Sequence, residues 1–204
     1  MVLSNKQPLK MQSTFGLLIF YCLILIFITS CRNKVPKDIN NICYIFSEKK
    51  KWHKYAQKSQ DKWGTPIHVQ MAILKQESGF RNDAKPGRKK VLGFIPWTRK
   101  SSAFGYAQVL DETWKEYKKQ TKNRGADRDK FKDAIDFVGW YTFNTHKQTK
   151  ASKWDAYKQY LAYHEGRGGY MRGTHNNKKW LLDVARKVDG NSKRYAAQIK
   201  TCTF

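Results

Sequence analysis

The hydrophobic pattern of this chain is helical for most of its length. Residues 42–64 set Ile42, Tyr44, Ile45 and Phe46, then Trp52, Tyr55, Ala56 and Trp63, among many lysines. That spacing predicts two short helices or one broken helix, with the lysines facing water. Residues 65–80 predict a helix that is apolar on more than one side through Ile67, Met71, Ile73 and Leu74. Thr65 suits its cap, Pro66 its first position and Gly79 the place just past its end. Residues 81–102 lose the period. Pro86-Gly87, Gly93 and Pro96 are turn signals there, while Val91, Leu92, Phe94, Ile95 and Trp97 are apolar enough to pack as a flap or short hairpin. Trp97 reads either as a packing residue or as a ring that stacks on a ligand.

Beyond that loop the period returns. Asp111 is placed to cap a helix to about residue 119, and Asn123-Arg124-Gly125 ends it. A central helix starts at Asp127 or Asp129 and carries Phe131, Ile135, Val138, Trp140, Tyr141 and Phe143 at threes and fours. The next, from 152 or 153 to 164, buries Trp154, Tyr157, Leu161 and Ala162 and stops at Gly166, Gly168 and Gly169. Residues 178–188 and 192–201 predict two terminal helices separated by Gly190. The expected fold class is therefore mainly α, with one small loop or β element in 81–102.

Composition changes the picture at the N-terminus. Lys6 and Lys10 precede an uncharged apolar run over 15–28, too short for a comfortable spanning helix and fitting a signal-peptide core. Ile28-Thr29-Ser30-Cys31 resembles the bacterial lipoprotein cleavage box, which implies a leader over 1–31, a lipidated Cys31 and a membrane anchor. Arg32 in place of Asp implies the outer membrane. An uncleaved anchor helix is the other reading. Residues 32–40 read as a tether and 41–204 as one domain, which 7 Trp, 11 Tyr and 11 Phe supply with a core. Cys43 and Cys202 are then the remaining cysteines, and in an oxidising compartment they read as one disulfide tying the domain ends.

The formal charge of +24 includes Lys6 and Lys10 and no acid from 1–31, so the rest carries +22. Such a surface seeks anions: nucleic acid, acidic headgroups or a carboxylate-bearing wall polymer. Export disfavours nucleic acid. No metal-ligand spacing and no cofactor motif is visible among the five His and four Cys.

Glu77 is the misplaced residue of its helix. It shares a face with Ile73 and Leu74 and occupies the last turn, where the helix dipole disfavours a negative charge. Burial and dipole both favour the protonated form and raise the pKa. One reading makes it functional. The other makes it a solvated end residue, or one paired with Lys75 or Arg81.

Three separated segments carry a family resemblance: Glu77-Ser78-Gly79-Phe80, Gly105-Tyr106-Ala107-Gln108 and Ala162-Tyr163-His164-Glu165-Gly166. In this order they resemble the soluble lytic transglycosylase-like (SLT) domain, whose fold is that of goose-type lysozyme, over about residues 50–170. The family pattern is Glu-Ser, a Gly-Leu-Met-Gln-like turn and Ala-Tyr-Asn. Tyr106-Ala107 and His164 are the departures from it. The resemblance implies a monomeric, metal-free and cofactor-free lytic transglycosylase acting on peptidoglycan glycan strands at the outer membrane. Glu77 would be the single acid/base, cleaving between N-acetylmuramic acid and N-acetylglucosamine and leaving a 1,6-anhydro sugar. It also implies that Tyr163 bonds Glu77 through its hydroxyl, that Ser78 and Gln108 contact sugar, and that Tyr106 and His164 stand at substrate-binding positions. Glu165 and Asp111 are further carboxylates. If one faced Glu77, a hydrolytic muramidase becomes the alternative. A silent wall-binding lipoprotein is the remaining one.

Overall fold

The computed structural model describes residues 35–91, 95–99 and 101–203, with the side chains of 88–91 and 95–99 left out. The leader, Cys31, Leu92, Phe94 and the side chain of Trp97 lie outside the described residues. The chain orders as α1 (Ile42–Glu48), α2 (Lys50–Trp63), α3 (Ile67–Ser78), β1 (Arg88–Val91), β2 (Ile95–Arg99), α4 (Asp111–Thr121), α5 (Phe131–Thr149), α6 (Ala156–Met171) and α7 (Lys179–Ile199). The fold is mainly α. Between the third helix and the fourth, the apolar loop forms an antiparallel hairpin pairing Arg88 with Arg99 and Val91 with Ile95.

α3 lies at the centre because almost none of it tolerates water. Ile67, Val69, Met71, Ala72, Ile73 and Leu74 are all buried. Its one buried amide, Gln70, accepts from Ser59 at 2.8 Å and donates to the Thr65 carbonyl at 2.7 Å, so no polar group is stranded. Thr65 does not cap this helix. Its hydroxyl meets that of Thr142 at 2.7 Å, Pro66 stands at the cap position, and Gln60 accepts the Ile67 N–H at 2.9 Å. α5 packs on α2, while α7 packs on both α3 and α6. Trp52 of α2 stacks flat on Phe131 of α5 at 3.8 Å and meets Tyr106 edge-on at 5.6 Å.

The two expected terminal helices are one. α7 runs through Gly190, because Leu181, Ala185, Val188, Ser192 and Tyr195 form one buried stripe at steps of three and four. A single glycine costs a helix only about 1 kcal/mol. On its far side Asn191 accepts from Lys75 at 2.9 Å and Ser192 meets His68 at 2.8 Å, which holds α7 to α3. Trp154 is also corrected. It precedes α6, whose cap is Asp155, and its side chain is exposed. The described part of the expected tether is docked: Tyr195 donates to the Ile39 carbonyl and Lys75 to the Asn40 side chain. Cys43 and Cys202 form a disulfide across 159 residues, joining α1 to the chain just after α7.

Candidate active site

α3 ends in a sharp turn. Gly79 and Phe80 both take left-handed backbone, at φ 59° and 63°, and Phe80 stays buried. Such a φ is strained for a bulky side chain, so the packing around Phe80 must hold it there. The turn leaves Glu77 half-buried, with its free side on a cleft of about 510 Å³. Glu77, Gln108, Phe137, Tyr141, Tyr163 and His164 are among its walls. Burial pushes the Glu77 carboxyl up to about 7, and the Tyr160 hydroxyl offsets part of this by hydrogen bonding to the carboxylate. Neither expected charge partner reaches it. Lys75 bonds Asn40 and Asn191, and the Arg81 guanidinium donates to the Ser78 carbonyl.

The second wall is the turn 104–109, closed by a bridge between Phe104 and Val109. Gly105 is required there. Its φ is 75°, and a Cβ would stand 2.2 Å from the Arg128 carbonyl oxygen. Gln108 also takes positive φ, and its amide nitrogen donates to the Ala84 and Gly105 carbonyls at 2.8 and 2.9 Å. Its amide oxygen is thus the end that can meet a ligand. Tyr106 does not meet one. It is 1% exposed and packed on Trp52 and Phe131, so its side chain is in the core and not on the cleft lining.

The third wall is α6, which breaks at Gly166 (φ 73°, ψ 154°). Tyr141 fills the break. Its hydroxyl donates to the Ala162 carbonyl at 3.2 Å, and its ring lies against the Arg167 guanidinium at 4.9 Å. The break turns His164, Glu165 and Gly166 into the cleft. Tyr163 bonds the Ala107 carbonyl at 2.6 Å, so the hydroxyl expected on Glu77 is that of Tyr160, one helical turn earlier. Ser78 is corrected too: it is buried, and its hydroxyl turns back to the Leu74 carbonyl at 3.4 Å.

The other carboxylates are occupied. Glu165 accepts two bonds from Lys178, at 2.8 and 2.7 Å, with Thr174 and His164 beside it. Chiefly through Lys178 and Thr174, its pKa falls to about 2. Asp111 pairs with Arg128 at 2.7 Å, beside a separate shallow pocket.

A family profile described as Transglycosylase SLT domain matches residues 19–202. The chain belongs to that family. SLT domains act on peptidoglycan in the cell envelope, and that coarse chemistry carries to this chain. No curated protein matches it. In this SLT domain the three signature segments form three walls of one cleft, with Glu77, Gln108, Tyr163 and His164 on its lining. Sequence reasoning missed Tyr160 and Tyr141. Tyr160 lies three residues before Tyr163, on the same helical face, which was a usable signal. Tyr141 read as one core position among six, and nothing in the periodicity marks it as a helix-break filler.

Proposed function

We propose that this SLT domain is a lytic transglycosylase with Glu77 as its single acid/base, cleaving the β-1,4 bond from N-acetylmuramic acid to N-acetylglucosamine. One observation carries the reading. Glu77 stands on the cleft with burial pushing its carboxyl up to about 7, while the other carboxylate on the cleft lining, Glu165, is tied to Lys178. In the first step the Glu77 proton moves to the glycosidic oxygen as the bond from the anomeric carbon to that oxygen breaks. In the second, the muramyl 6-hydroxyl oxygen bonds to the anomeric carbon and its proton passes to the Glu77 carboxylate. A 1,6-anhydro ring is left, Glu77 is again protonated, and no water is consumed. Near its own pKa the group serves both steps.

Hydrolysis at a retaining or inverting site needs a second carboxylate as nucleophile or base. Glu165 lines the cleft, but its oxygens are taken by Lys178 and Thr174. The Gln108 amide oxygen and the His164 ring are the polar groups offered to the sugars, and Tyr163 holds the turn that presents Gln108. Attachment through Cys31 to the outer membrane would keep the domain near the wall, and the basic surface suits a polymer bearing carboxylates.

The test is digestion of purified sacculi by wild type and Glu77→Gln, with the fragments weighed by mass spectrometry. Anhydro ends from wild type and none from Glu77→Gln are expected. Reducing ends would make the protein a muramidase. Salt-sensitive sacculus binding without turnover would make it a wall-binding lipoprotein. Replacing Cys31 with Ser and following the protein between membrane and soluble fractions tests the anchor.

A further inference from the structure

We propose that Trp180 is a stacking platform that extends the cleft and takes the face of a sugar further along the glycan strand. This rests on the glycan-cleaving reading above and adds a binding position outside the catalytic cleft. The indole is 56% exposed, on the first turn of α7. Exposed aromatics standing alone are ordinary. Trp180 is not alone, because its ring lies edge-on to that of His164, centroids 5.1 Å apart, and His164 lines the cleft. The indole thus continues the cleft wall outward.

Its position is also held. Lys178, two residues earlier, stands at the N-cap position of α7 and donates to both oxygens of Glu165, a cleft-lining residue. Thr174 of the connecting segment donates to Glu165 as well. The first turn of α7 is therefore clamped to the segment that forms the cleft wall. A platform gains from this, since a ring fixed beforehand loses little freedom when a ligand covers it.

The ligand chemistry follows from shape. A cleft of about 510 Å³ holds a short stretch of a polymer, so a longer strand must run out over a rim. A pyranose offers a flat array of C–H bonds to the electron-rich face of an indole, and Trp is the best such face among side chains. The other exposed indole among the described side chains, Trp154, is a useful contrast. It is 68% exposed, but its ring neighbour is His68 at the start of α3, and neither residue lines the cleft.

Binding is measured with full-length protein carrying Glu77→Gln, alone and combined with Trp180→Leu, Trp180→Phe or Trp154→Leu. The ligands are uncrosslinked glycan strands fractionated into short and long sets. Leu keeps apolar bulk without a ring face, and Phe keeps the face. Trp180→Leu is expected to weaken long-strand binding about tenfold, removing most of the advantage of long strands over short. Trp180→Phe should restore most of that advantage, and Trp154→Leu should leave it intact. An unchanged long-to-short ratio in Trp180→Leu overturns the proposal, as does equal loss in the Leu and Phe variants. Failure of the Glu77 mechanism would instead appear as turnover in the Glu77→Gln parent, a separate readout.

Discussion

The hydroxyl of Tyr163 donates to the carbonyl of Ala107 at 2.6 Å, joining two segments that lie 56 residues apart. This bond fixes the turn that carries Gln108 against α6, so it sets the width of the cleft rather than the charge of Glu77. Tyr163→Phe should destabilise the domain by about 1–2 kcal/mol, because a partly buried carbonyl loses its partner. It should lower kcat on sacculi about tenfold while leaving the pH at which activity falls unchanged. Chemical denaturation and a pH–rate profile check both.

Tyr160 should behave in the opposite way. As the proposed acid, Glu77 must hold its proton, so activity is expected to fall as pH rises through about 7. The Tyr160 hydroxyl favours the carboxylate and pulls that value down. Removing it in Tyr160→Phe should therefore move the alkaline limb to higher pH. A shift in Tyr163→Phe with none in Tyr160→Phe would reverse the assignment of the two tyrosines.

Glu77 should weaken the fold it serves. Its folded pKa, about 7, stands above its ordinary 4.5, so the folded state holds the proton more tightly than the unfolded one. Wild type then loses stability as pH rises from about 4.5 to about 7, and no more above that. Glu77→Gln has no such loss. It should exceed wild type by roughly 2–3 kcal/mol at about pH 8 and by much less near pH 4.5. Denaturation midpoints of the two proteins across that range are the measurement.

Glu165 should show the reverse dependence. Its folded pKa is depressed to about 2, so its contribution is fully present above about 4.5 and fades as pH falls toward 2. In Lys178→Met the largest cause of that depression is gone. The variant should lose less stability than wild type between those two pH values, although it starts lower. Acid unfolding followed by circular dichroism compares the slopes.

The Cys43–Cys202 bridge closes a loop of 159 residues, and such a loop in the unfolded chain is worth on the order of 5 kcal/mol. Reduction should lower the thermal midpoint of wild type markedly. The double variant Cys43→Ser, Cys202→Ser should match the reduced protein and be insensitive to reductant. Calorimetry with and without dithiothreitol tests this.

Much of this protein is determined by its sequence alone. A helix of Ile67, Val69, Met71, Ile73 and Leu74 has no wet face, so it must be central, and a Glu in its last turn must feel both burial and dipole. Those are local facts, and they led to Glu77 on the cleft, its carboxyl pushed up to about 7 by burial. The pairing of Cys43 with Cys202 was legible too, whereas the glycines at 166, 168 and 169, read as the end of α6, only kink it at Gly166 and the helix runs on to Met171. Other features depend on how helices rotate against one another. Periodicity says which residues share a face, not what covers it, so Trp154 was expected inside and lies outside, while Tyr106 was expected at the substrate and lies in the core. Gly190 looked like a stop, but one buried stripe outweighs a glycine. Which of Tyr160 and Tyr163 turns its hydroxyl to Glu77 depends on the placement of α6 beside α3. Only the packed core holds that placement, because the two residues differ by one turn of the same helix.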